Sequence, residues 1–113
     1  MREFISTKIF DKRWHELGLN DSDLRKLESY LLGNIGAGDI ISGTGGTTKL
    51  RWALPHMGKS GGIRIIYIDI INAERVYFIT CYPKSKKDSL TDKEKAAIKE
   101  VAKRILSNER DGL

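Results

Sequence analysis

Apolar positions along this chain recur with two different periods, and the changes of period mark out its elements. Residues 2–6, REFIS, read as a short first strand. Phe10, Trp14 and Leu17 then follow at helical spacing, and Gly18 fits a helix stop. A second helix is predicted over 21–32, capped by Asn20 or Asp21, with Leu24, Leu27 and Leu31 as its apolar stripe. After it the helical period is lost. Residues 33–46, GNIGAGDIISGTGG, hold six glycines in 14 positions and read as a loop.

A period of two takes over next. In residues 47–54, Lys49, Arg51 and Ala53 alternate with Leu50, Trp52 and Leu54. Residues 63–71, IRIIYIDII, are β-branched and almost continuously apolar, the pattern of a central strand. Residues 75–82, RVYFITCY, form a third strand, joined to the second by a tight turn at 71–74. Thr91 and Glu94 make a capping box that opens a last helix. Its apolar face carries Ala97, Ile98, Val101, Ala102, Ile105 and Leu106, and the polar tail from Ser107 is expected to fray. The order β-α-α-β-β-β-α predicts one α+β domain over residues 1–113. Its core would be an antiparallel meander, with the two N-terminal helices and the C-terminal helix packed on one face. The other sheet face would then be open to a partner.

Charge changes this picture most. From residue 40 to residue 68 there is no Asp or Glu, yet Lys49, Arg51, Lys59 and Arg64 punctuate the run. Residues 40–87 hold eight basic residues against two acidic ones, whereas the other 65 hold 12 basic and 13 acidic. The whole surplus of positive charge, +5 for the chain, therefore sits in the strand-rich middle. Mixed charge is the ordinary surface pattern. A strand face salted with Lys and Arg and stripped of acids suits a polyanion, most simply a phosphate backbone. By the period of two, Lys49 and Arg51 share a face. Arg64 interrupts an apolar strand beside them, and Lys84, Lys86 and Lys87 follow the third strand.

Other chemistry is poorly supported. Residues 53–60, ALPHMGKS, satisfy a loose phosphate-loop pattern, but strand sequence follows where such a loop needs a helix N-terminus. His15 and His56 are the only histidines and neither has a partner at ligand spacing, so no metal is expected. His15 belongs on a solvated helix face, while His56 lies in the loop among the basic residues as a minor catalytic candidate. The single cysteine, Cys81, lies in an apolar strand and reads as an inert buried thiol. No apolar run approaches the roughly 18 residues of a membrane span. The first ten residues, MREFISTKIF, lack a signal-peptide core, so a cytoplasmic protein is expected.

Taken together, GTGGTTKLRWALPHMGKSGGIRIIY and VYFITCYPKSKKDSLTDKE resemble the RelE/HigB-type toxins of bacterial toxin–antitoxin systems. The likeness covers about residues 39–106. It consists of a GTGG turn, a Lys-x-Arg strand, a Gly-Gly-x-Arg strand start, an Ile-Ile-Tyr run and a Tyr-x-Lys strand end. The GTGG turn is most similar to the HigB-like branch. The resemblance implies an endoribonuclease that cuts mRNA on the ribosome without metal or cofactor, by attack of the 2′-hydroxyl on the adjacent phosphate. Lys49, Arg51, Arg64 and Lys84 match the family's catalytic cations, and Lys59, Tyr82, Lys86 and Lys87 would bind RNA. Lys49 or Arg51 would hold the attacking hydroxyl, Arg64 would clamp the phosphate, and Tyr82 would stack on a base or orient the phosphate. A cluster of like charges favours a neutral lysine, which makes Lys49 the candidate general base.

Departures from the family pattern leave the general acid unassigned: Ser85 follows Lys84 where some relatives carry Arg, and Leu90 and Thr91 stand where some carry Tyr. The implied partners are mRNA on the ribosome and a cognate antitoxin, a small helix-turn-helix protein, with no membrane. A gyrase-inhibiting relative of the ParE type, or a non-enzymatic nucleic-acid-binding module, would be the alternatives.

Overall fold

The structure is a computed structural model, and it describes residues 2–54, 62–85 and 89–111. Its elements run β1 (Glu3–Ser6), α1 (Lys8–Glu16), α2 (Asp21–Gly33), β2 (Asp39–Ile40), β3 (Thr48–Trp52), β4 (Ile63–Ile70), β5 (Arg75–Pro83) and α3 (Asp92–Asp111). Local chemistry explains their ends. The Thr7 hydroxyl accepts from the Phe10 N–H and starts α1. Asn20 and Asp23 form a reciprocal capping box at α2, and Thr91 and Glu94 do the same at α3. Between β4 and β5 a single 3-10 turn, Ile71–Ala73, closes on Glu74 in the left-handed region.

The strands form one five-stranded sheet in the order β1-β5-β4-β3-β2. The expected meander β3-β4-β5 is antiparallel, while β1 joins β5 in parallel and makes the sheet mixed. β2 lies inside the glycine-rich stretch that the sequence reads as loop. Gly38 shows why glycine is needed there: at φ +108°, a Cβ would stand 2.3 Å from the Lys49 carbonyl oxygen. Gly38→Ala is therefore expected to cost about 1–3 kcal/mol, read as a fall in melting temperature. A melting temperature at or above wild type would show that β2 is not seated on β3 as described.

Helices cover both faces of the sheet, which corrects the expectation that they share one. Phe10, Trp14, Leu27 and Leu31 of α1 and α2 pack with Leu50, Ile63, Ile65, Tyr67 and Phe78 in a first core. On the opposite face Ile98, Ala102 and Ile105 of α3 pack with Ile66, Ile68, Ile79 and Tyr82 in a second. The physical reason is visible in β4. Both alternating sets of its side chains are apolar, and an exposed second face would have left Ile66 and Ile68 in water.

α3 also continues past Ser107 instead of fraying. Glu109 accepts from Tyr77 Oη and, at 2.8 Å, from Arg75 Nη1, while Arg75 also donates to Glu3 at 2.9 Å. These donors, Tyr77 first, hold the Glu109 carboxyl below its ordinary value of 4.5. A carboxyl lowered on folding stabilises the fold above its unfolded value and loses that contribution as pH falls through the folded one. Wild type is thus expected to lose more melting temperature than Glu109→Gln between about pH 6 and about pH 3. Parallel pH profiles would refute the tie.

Candidate functional site

Register settles which of the basic side chains meet. β3 pairs with β4 so that Arg51 stands opposite Arg64 and Lys49 opposite Ile66. β4 pairs with β5 so that Arg64 stands opposite Tyr82. Directly opposed residues point to the same face with Cβ atoms about 4.5–5.5 Å apart. Arg51, Arg64 and Tyr82 therefore form one row across three strands, on the face that α3 partly covers. Lys49 stands on the same face of β3, two residues before Arg51.

A β-bulge brings β5 into this row. Ile66 pairs with Thr80 but Tyr67 pairs with Phe78, so Ile79 has no opposite number. Val76 and Phe78 enter the first core ahead of the bulge, and beyond it Cys81 does so while Tyr82 turns to the second. Unbroken alternation would have put Phe78 and Tyr82 on one face. The extra residue reverses the parity and delivers Tyr82 beside Arg64. The pairing continues past the strand, where the Lys84 N–H donates to the Gly62 carbonyl at 3.1 Å, and Lys84 follows Tyr82 by two residues.

Exposure differs along the row. Arg51 and Lys84 are exposed and Lys49 is half-buried. Arg64 is only 3% exposed, which makes it the least accessible cation of the row. Tyr82 is 4% exposed and its ring packs in the α3 core. No described carboxylate lies within ion-pair distance of Lys49, Arg51 or Lys84. Lys59, Lys86, Lys87 and His56 lie outside the described residues.

Two features near the row have no counterpart in the sequence reading. Asp39 of β2 stands opposite Lys49, so a carboxylate borders the cationic face just before the acid-free run begins. A groove of about 190 Å³ opens past Tyr82, where α1 and α3 flank β5, with Arg13, Thr80 and Glu94 as its polar groups. Only the fold could reveal either, because β2 and the α3 face leave no period-two or motif signal.

The remaining reactive groups are quiet. Cys81 is fully buried, and burial pushes its thiol up to about 12, which leaves it un-ionised at neutral pH. His15 is exposed on α1, with Nδ1 2.8 Å from the Asp11 carbonyl. Among the described residues no group of three or more His, Cys, Asp or Glu is placed to hold a metal ion. Nor, among them, is any helix long and apolar enough to cross a membrane. What the site offers is a set of preorganised N–H donors on a rigid sheet, the arrangement that stabilises negative charge on a bound oxyanion. A family sequence model described as the RelE toxin of the RelE / RelB toxin–antitoxin system matches residues 1–113.

Proposed function

Because the chain belongs to the RelE toxin family, we propose that it is an endoribonuclease that cuts mRNA on the translating ribosome and so inhibits translation. In this reaction the 2′-hydroxyl oxygen attacks the adjacent phosphorus and the P–O5′ bond breaks. The hydroxyl proton passes to a general base and the departing 5′-oxygen takes up a proton. The products end in a 2′,3′-cyclic phosphate and a 5′-hydroxyl.

The observation that supports this reading best is the Arg51–Arg64–Tyr82 row with Lys49 and Lys84 beside it. In-line attack builds charge on the phosphate's non-bridging oxygens. The exposed Arg51 can meet those oxygens with a forked donor, and Arg64 would clamp the phosphate from its buried position opposite Arg51. Lys84 adds charge at the β5 end, and Lys49, on the same face of β3 as Arg51, would hold the attacking hydroxyl. Burial of Arg64 lowers the local dielectric and strengthens each of these contacts. The proton donor to the leaving oxygen stays unassigned among the residues of this row. Lys59, Lys86 and Lys87 extend the basic charge along the chain to either side. The partner expected to silence the toxin is a RelB-type antitoxin, and the site of action is the cytoplasm, where the ribosomes are.

Induced expression of wild type and Arg64→Ala tests the proposal. Wild type is expected to arrest growth with cleaved mRNA, and the variant, folded by circular dichroism, to do neither. Growth arrest with intact mRNA and inhibited gyrase would replace the ribonuclease reading with the ParE-like one.

A further inference from the structure

Summed along its length, α3 is nearly neutral, with six basic and five acidic residues, and nothing in that total marks it as part of a cationic site. The total hides how the charges are distributed round the helix. One flank, with Glu94, Ala97 and Val101, faces the groove toward α1. The other flank faces the β2–β3 turn: a Cβ built on Gly45 would stand 3.4 Å from Ala102 Cβ and 3.8 Å from Lys99 Cγ. That turn leads directly into β3 and Lys49.

Lys95, Lys99 and Lys103 lie four residues apart along this second flank, one helical turn after another. The one acid between Lys95 and Lys103, Glu100, is turned about 100° away from Lys99. Lys95 is half-buried, while Lys99 and Lys103 are exposed. No described carboxylate is within ion-pair distance of any of the three. Like charges four apart on a helix repel and weaken it. Here two such contacts are placed in sequence along the flank that borders the β3 side of the sheet, where Lys49 and Arg51 stand. An anion that runs along the stripe would relieve this repulsion.

We infer that Lys95, Lys99 and Lys103 form a second basic rail, beside Lys49 and Arg51, that binds RNA phosphates flanking the scissile one. This rests on the ribonuclease reading and extends it, because the rail contributes grip and register instead of proton transfer. The phosphates belong either to the substrate strand or to ribosomal RNA, and both carry the same charge per nucleotide.

The test is the salt dependence of binding by the full chain. The probe is a single-stranded oligoribonucleotide with methylated 2′-hydroxyls, which cannot attack. Each lost phosphate contact should reduce the slope of log K against log salt by about 0.7. The triple variant Lys95→Ala/Lys99→Ala/Lys103→Ala is thus expected to bind more weakly at low salt with a slope shallower by about two. Lys93→Ala, on the outer side of α3, is the control and should match wild type. A triple variant with the control's slope and affinity would overturn the rail, whatever those lysines do for an antitoxin. Repeating the titration with ribosomes identifies the source. A shallower slope with ribosomes alone assigns the contacts to ribosomal RNA, and one with the oligomer assigns them to the substrate strand. A rail-dependent slope in a chain that cleaves no mRNA on ribosomes would leave the rail standing and sink the ribonuclease reading. No RNA binding by wild type would overturn both.

Discussion

Arg51→Ala is expected to slow RNA cleavage by roughly 100- to 1,000-fold while the protein melts as wild type does. The size follows from removing one preorganised donor from a developing oxyanion. The unchanged stability follows from exposure, because a surface substitution without a described ion pair usually shifts stability by no more than about 0.5 kcal/mol. This separation makes Arg51 a cleaner probe than Arg64. The Arg64 guanidinium is buried, and its loss removes charge and packing together. Single-turnover cleavage on programmed ribosomes and a thermal melt of the same preparation read the two quantities. A variant that cleaves at the wild-type rate would remove Arg51 from the reaction. A variant that unfolds would show that the exposed face of β3 carries stability that the contacts do not explain.

The largest effect on stability should come from Phe78→Ala, with a loss of about 3–5 kcal/mol. Phe78 is fully buried and joins three elements. Its ring stacks on Phe4 of β1 at 5.7 Å and on Phe10 of α1 at 5.0 Å, and Phe10 in turn stacks on Trp14 at 5.4 Å. Removing the ring leaves a cavity where strand, edge strand and helix meet, and none of the three can close it alone. Domains of this size are stable by only about 5–15 kcal/mol, so melting should fall by roughly 10–20 °C. Because Phe78 lies on the face opposite Arg64, activity per folded molecule should be retained at low temperature. A small shift in melting would mean that the aromatic stack is not the joint of the first core.

The contrast between these two residues shows what the sequence makes legible. Phe10, Trp14 and the leucines of α2 announce their helices through spacing and caps, and the meander announces itself through alternation and the tight turn at 71–74. Lys49, Arg51 and Arg64 are likewise readable as neighbours, because one hairpin register joins them. The placement of α3 is harder to see, since a capping box and an apolar stripe say that a helix forms but not which sheet face it covers. One clue was present: a strand as apolar as β4 needs both faces covered. The side on which Tyr82 lies is hidden for a different reason. A single bulged residue at Ile79 reverses the side of everything after it, and no local pattern in RVYFITCY betrays it. Glu109 and the lysines of α3 were lost in averages over a polar tail and over a helix of mixed charge. Two residues of β2 among six glycines are too short to show a period at all.

Two cationic features with different duties emerge from the fold. The β3–β4–β5 row is proposed to meet one phosphate, and the α3 stripe to follow the strand on either side of it. The row sits on the α3 face of a sheet whose central strand is buried on both sides, which holds its donors in place before RNA arrives.

The most direct test is the chemistry of the RNA ends. Purified toxin and ribosomes programmed with a defined mRNA should yield fragments ending in 2′,3′-cyclic phosphate and 5′-hydroxyl, and Arg51→Ala should yield almost none. Fragments with 5′-phosphate ends, or full cleavage by Arg51→Ala, would contradict the account.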